Sequence, residues 1–192
     1  MINDLHEAQE DMRVGYFSGG AGILASSLAW LTAAFISWRF SSERAVWALF
    51  IGGAFIHPVG ILICKFLGGR GNHSKGNPLA SLAGASTFWL IFSLPLAYAT
   101  YLQRESWFFP AMLLVIGGRY LIFAFLYGLR LYWLFGFTLA GTAYLTAACK
   151  ATPVFGSLVG GTVEAVFGVA VLALHWRWRH TNKLPTPSNG PP

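Results

Sequence analysis

Charge is what this sequence has least of. Asp, Glu, Lys and Arg make up 10% of its 192 residues, while 55% are hydrophobic. An ordinary soluble domain carries about 25% charged residues. A soluble chain of this length could not hide so much apolar surface in one core, so a soluble globular fold is excluded and lipid is left as the solvent. Aspartate is missing from every long apolar run, which excludes an aspartyl intramembrane protease. Thiols are scarce too: Cys64 and Cys149 are the only cysteines, and they fall near opposite faces of the membrane in the topology below. A disulfide needs Cα atoms within about 7 Å, so none is expected. No Cys/His cluster has zinc spacing, and no Gly-x-Ser-x-Gly elbow occurs. His175 and His180 stand at the tail without evident partners, and haem ligation would need a second buried histidine beside His57. No metal or cofactor is therefore expected, and an enzyme is the less favoured class. The net charge of +6 is scattered through loops and tail; without a dense basic patch it does not indicate nucleic-acid binding.

What is present is a series of apolar runs. Crossing the hydrocarbon layer takes roughly 20 apolar residues in a helix. Six runs meet that length, at about 15–38, 45–66, 79–101, 107–127, 130–149 and 152–176. The expected fold is all-α, a polytopic bundle of six transmembrane helices over 15–176. It is preceded by a polar segment, 1–14, and followed by a basic, Pro-rich tail, 177–192, with no reason to fold. Asp4, Glu7, Glu10 and Asp11 give the N-terminus the wrong charge for a signal peptide. That segment reads as a short helix, either at the interface or solvated. Trp38, Trp107, Trp133, Trp176 and Trp178 sit at span ends, as an aromatic belt requires. Continuous runs rather than alternation exclude β-barrel strands.

With the N-terminus inside, Arg13, Lys65, Arg70, Lys75, Arg130, Arg177, Arg179 and Lys183 face the cytoplasm, against Arg39, Arg44, Arg104 and Lys150 outside. The excess places both termini in the cytoplasm. The run Leu24–Ala34 resembles Leu139–Ala148, and the even spans carry Gly52-Gly53, Gly117-Gly118 and Gly160-Gly161. Three like-oriented helical hairpins would explain this; so would shared apolar, Gly-rich composition.

Each even span holds one ionisable residue: His57, Arg119 and Glu164. Each lies twelve residues from its span start, about 18 Å by helical rise and near the midplane. A lone charge there costs about 2.5–3.5 kcal/mol or more, so an Arg119–Glu164 ion pair is expected, with His57 hydrogen-bonding or titrating beside it. Small residues mark packing faces: Ser157, Gly161, Glu164 and Gly168 on span six; Gly53, His57, Gly60 and Cys64 on span two; Gly19, Gly22, Ser26, Ala29 and Ala33 on span one. Pro58, Pro95 and Pro110 are expected to interrupt their helices or merely kink them.

The loop Gly68–Pro78 is the distinctive polar segment. Arg70, His73, Lys75 and Asn77 make it a candidate site for an anion or a lipid headgroup, and a flexible basic turn is the alternative. Asn77 and Pro78 also read as the N-cap and first-turn proline of span three.

The stretch Gly53-Ala54-Phe55-Ile56-His57-Pro58-Val59-Gly60, followed by this loop to Asn77-Pro78-Leu79, resembles a bacterial family of small six-span membrane proteins of unknown function. The resemblance implies the bacterial cytoplasmic membrane and no particular activity. The three-hairpin plan is similar in outline to acid-stress membrane proteins of the HdeD type. The tryptophan-rich TspO proteins have five spans and signature motifs absent here.

Three functions follow. The leading one is a small-solute or proton-coupled transporter, with Glu164 exchanging a proton, Arg119 holding its charge and His57 relaying. The second is a non-transporting protein of stress response, sensing or assembly, in which the cluster is structural. The third is a lipid-modifying enzyme using the Arg70–Lys75 loop. The expected partners are membrane lipids, a solute or proton, and further copies of the chain.

Overall fold

The computed structural model describes residues 4–181. Every regular element among them is helical: α1 (Leu5–Tyr16), α2 (Gly20–Arg39), α3 (Ser42–Phe66), α4 (Leu79–Gln103), α5 (Phe108–Tyr127), α6 (Leu131–Ala148) and α7 (Pro153–Thr181). Six segments are long and apolar enough to cross a membrane; the first, Leu5–Arg39, joins α1 to α2, and its apolar part is α2. Helix ends carry the expected signals. Ser41 accepts from the backbone of Arg44 at the start of α3, with Glu43 in the first turn and Lys65 in the last. Asn77 accepts from the Leu79 backbone at 2.9 Å and so caps α4, as its sequence position suggests. Pro58 and Pro95 lie inside helices. Pro110 does not break α5: it falls in the first turn, where its nitrogen has no carbonyl to reach. α7 runs on to Thr181, past the expected start of the tail at 177; the expectation for 182–192 falls outside the described residues.

The helices form two groups of three. In one, α2 packs between α3 and α7; in the other, α5 packs between α4 and α6, and α7 joins the groups through α5 and α6. Small residues set the α2–α7 approach. A Cβ added at Gly161 would lie 3.1 Å from the backbone nitrogen of Leu31, and one at Gly168 would lie 2.8 Å from Leu24 Cδ2. Ser27 also donates to the Gly161 carbonyl at 2.8 Å. The expected packing stripes on spans one and six are buried, apart from a half-buried Gly22. Of the stripe expected on α3, Gly60 and Cys64 are buried, whereas Gly53 and His57 are exposed. The close contact of α3 with α2 runs through Gly52, against Ala29, and Gly60, against Gly22.

The three hairpins are packed unequally. α2–α3 is extensive, α6–α7 is slight, and α3 and α4, consecutive in the chain, do not pack along their lengths. Their apolar windows are only 17% and 11% buried, which makes them the peripheral helices. They meet at one end through Trp47, Phe50 and Tyr98, with ring centroids about 6 Å apart, and the long 67–78 loop spans the gap at the other.

α1 crosses that second end. Gln9 donates to the Phe125 carbonyl at 2.7 Å, and Arg13 donates to the carbonyls of Tyr127 at 2.5 Å and Gly128 at 3.0 Å. These contacts satisfy the free carbonyls at the C-terminus of α5. Between α1 and α2 the chain turns through three left-handed residues, Phe17, Ser18 and Gly19, with φ of 51°, 55° and 87°. Positive φ is strained for Phe and Ser. The break is held by a buried hydroxyl, Tyr132, donating to the Ser18 carbonyl at 2.6 Å.

Candidate functional site

The gap between α3 and α4 continues inward as a cavity of about 470 Å³, backed by α2 and α5. It is walled mostly by apolar side chains such as Ile56, Ala83 and Phe88. Its polar groups are few: Ser26 on α2, His57 and Cys64 on α3, Thr87 on α4, Arg119, Tyr120 and Tyr127 on α5, and Tyr16 and His73 at the α1 end. The cavity therefore brings two of the three expected midplane residues, His57 and Arg119, to one space.

Arg119 is half-buried in this wall. One terminal nitrogen donates to Thr87 Oγ1 at 3.3 Å, and the guanidinium lies over the Phe123 ring, 5.2 Å from its centroid. Its Nε is buried and has no hydrogen-bond partner among the described residues. The expected pair with Glu164 is not formed: among the described residues the one ion pair is Arg70–Asp11. The reason is angular. Successive helical residues point about 100° apart, so when Arg119 faces α4 and the cavity, Tyr120 faces α7. It is Tyr120 that donates to Glu164 Oε1, at 3.1 Å. Glu164 is fully buried, and its Oε2 has no partner among the described residues. The three residues are thus divided: His57 and Arg119 line the cavity, and Glu164 sits behind Tyr120.

The polar loop also departs from expectation. The carboxylate it binds is the protein's own. Asp11 of α1 accepts from Arg70 Nη2 at 2.8 Å, from the Ser74 backbone at 2.8 Å, from the Ser74 hydroxyl at 2.7 Å and from Asn77 Nδ2 at 2.9 Å. Burial alone would raise the Asp11 carboxyl, but the hydrogen bonds from Asn77, Ser74 and Arg70 outweigh it and hold the group at about 2. His73 Nδ1 is 2.9 Å from the Tyr16 hydroxyl, and Lys75 is exposed. Gly71 donates to the Gly15 carbonyl, and a side chain at Gly15 would collide with Asn72, so only glycine lets the loop lie this close. α1 and the loop together form a lid on one end of the cavity, to which Met12, Tyr16 and His73 contribute lining.

Sequence reasoning did not anticipate the tyrosines or His175. Tyr120 and Tyr132 are buried and stack on each other at 6.0 Å, Tyr120 stacks on Phe135 at 4.0 Å, and Phe135 stacks on Phe167 at 4.3 Å. His175 is not a tail residue without partners: it is 2% exposed, its Nδ1 is 2.9 Å from Ser18 Oγ, and its ring packs on Phe17. The available signal was its register, one turn beyond Val171 and two beyond Gly168 on the buried face of α7.

A bundle of six membrane-length helices around an inward cleft defines a multi-pass membrane protein. The chain belongs to the DUF7010 family, a family of unknown function whose model matches residues 5–174. Comparison with curated proteins found no match, and neither did comparison with solved structures.

Proposed function

We propose that the protein is a small transport or permeation protein of the bacterial inner membrane, with the α1 face cytoplasmic, and that the cavity between α3, α4 and α5 is its binding chamber. The observation that carries this reading is a space of about 470 Å³ that reaches from the lid residues Tyr16 and His73 to His57 and Arg119. Ligand sites of small molecules occupy about 300–1,000 Å³ and are mostly apolar with a few placed polar groups. An ionisable residue at membrane depth is by default a functional candidate. In this reading Arg119 and His57 contact the solute. Glu164 acts on the chamber through Tyr120, and the α1 lid, fastened by Asp11, must loosen for release to the cytoplasm.

Gly84 supplies the test. It lines the cavity, and a Cβ placed there meets nothing within 4 Å. Gly84→Trp should fill the chamber without disturbing helix packing. Uptake of a panel of anionic, cationic and neutral solutes into proteoliposomes is expected for the wild type and lost in the variant, at an unchanged melting temperature. Equal uptake by both would end the reading.

A non-transporting sensor or assembly protein is the second reading. The closed lid favours it, because the hydrogen bonds on Asp11 hold α1 over the cavity. It expects no uptake from either protein. The lipid-modifying enzyme has less support, since Arg70, Ser74 and Asn77 already bind Asp11.

A further inference from the structure

The walls of the cavity and its one cation restrict what can occupy it. We propose that the chamber takes a single-tailed amphipathic oxyanion, a long-chain carboxylate or alkyl phosphate, which enters from the bilayer between α3 and α4 and seats its head on Arg119. This rests on the chamber reading above and assigns its substrate class.

The head group follows from Arg119. A guanidinium has five N–H donors, and here one makes a 3.3 Å bond, to Thr87. Its Nε is buried without a partner among the described residues, and no carboxylate among them lies within ion-pair distance. Thr87 and the Phe123 ring hold the group in place without neutralising it. A cation at membrane depth costs about 2.5–3.5 kcal/mol or more when unpaired. A carboxylate or phosphate oxygen would complete its hydrogen bonds, and the planar guanidinium suits both in bidentate fashion. His57, which lines the same space, adds an imidazole nitrogen for the head, whereas the Tyr120 hydroxyl is already committed to Glu164.

The tail follows from the rest of the wall and from the route. Ile56 and Ile61 on α3 and Ala83, Phe88 and Leu90 on α4 offer an alkyl chain contact and offer a hydrophilic body nothing. The outer end of the gap is closed by Trp47, Phe50 and Tyr98. The inner end is closed by α1 and the loop, tied through Asp11 and through Tyr16 to His73. Between these ends α3 and α4 do not pack, and His57 and Phe88 are left exposed in the gap. That side faces acyl chains once the bundle is in a membrane. A polar solute would have to cross hydrocarbon to use it, whereas an amphipath already resides there. About 470 Å³ is in the lower half of the usual ligand range, which matches one tail rather than two.

The test is direct binding by the full chain in nanodiscs of phosphatidylcholine, with radiolabelled palmitate, dodecyl phosphate, hexadecanol and acetate as probes. Palmitate and dodecyl phosphate are expected to bind saturably, with hexadecanol at least about tenfold weaker and acetate absent, since a charge-assisted contact is worth about 1.5–3 kcal/mol. Arg119→Gln should weaken palmitate binding by a similar factor, Arg119→Lys should recover part of it, and Gly84→Trp should remove it. If Arg119→Gln does not fold, the comparison of palmitate with hexadecanol on the wild type decides the matter. Equal binding of the alcohol, no binding of either oxyanion, or unchanged binding by folded Arg119→Gln overturns the proposal. Palmitate binding without any uptake into proteoliposomes would sink transport and leave this site standing. Uptake of a hydrophilic solute without palmitate binding would do the reverse.

Discussion

The Tyr120 hydroxyl donates to Glu164 Oε1 across the α5–α7 interface at 3.1 Å, with both side chains sealed from solvent. The neighbouring arginine takes no part in the contact. A change at Glu164 therefore acts first on a neutral hydroxyl rather than on a buried ion pair.

Tyr120→Phe should destabilise the protein in detergent by about 1 kcal/mol, the usual size of a buried hydrogen bond within a membrane bundle. Glu164→Gln keeps an acceptor for Tyr120 and should cost less. Thermal unfolding of the two variants checks the order. If Glu164→Gln were the more damaging by several kcal/mol, as expected when a buried ion partner is removed, Arg119 would after all be compensating the carboxylate.

The Asp11 clamp predicts a pH effect at the acid end. Its folded pKa of about 2 lies below the ordinary carboxylate value of 3.8. The stabilisation is therefore complete above about pH 4 and fades as pH falls towards 2. Asp11→Asn should flatten that limb and lower stability at neutral pH by about 1–3 kcal/mol, because donors from Arg70, Ser74 and Asn77 lose a charged acceptor. Trypsin cleavage after Arg70 and Lys75 should accelerate in the variant. An unchanged digestion rate would show that the loop holds its shape without Asp11.

Ser18 separates backbone strain from hydrogen bonding. Its φ is 55°, and its hydroxyl is 2.9 Å from His175 Nδ1. Both Ser18→Ala and Ser18→Gly remove the hydroxyl, but only glycine relieves the left-handed strain, about 1–2 kcal/mol. The glycine variant should melt above the alanine variant. The opposite order would mean that the α1–α2 break is not held in this conformation.

Two glycines on different helices predict opposite outcomes for the same substitution. Gly161→Ala drives a Cβ against Leu31, including its backbone nitrogen at 3.1 Å, and should cost about 1–3 kcal/mol. Gly53→Ala meets nothing within 4 Å and should be neutral or slightly stabilising. Melting temperatures of the pair test whether the α2–α7 face, and not the outer face of α3, is the tight contact.

Much of the architecture was legible without coordinates. Run length gives the number of helices, because hydrocarbon thickness is a one-dimensional requirement. Asn77-Pro78 marks the start of α4, since capping depends on residues two apart in sequence. The buried stripe of Ser157, Gly161, Glu164 and Gly168 was equally readable, since its spacing is the helical period itself.

Direction around each helix was a different matter. By itself the chain determined an all-helical bundle of six membrane-length helices. Only the tertiary structure decided that α3 and α4 separate, that Arg119 turns into their gap while Tyr120 takes the carboxylate, and that Asp11 occupies the loop's anion site. Level along a helix follows from counting residues at fixed rise. Facing depends on which neighbour fills the other side, and that is set by the joint packing of helices far apart in sequence.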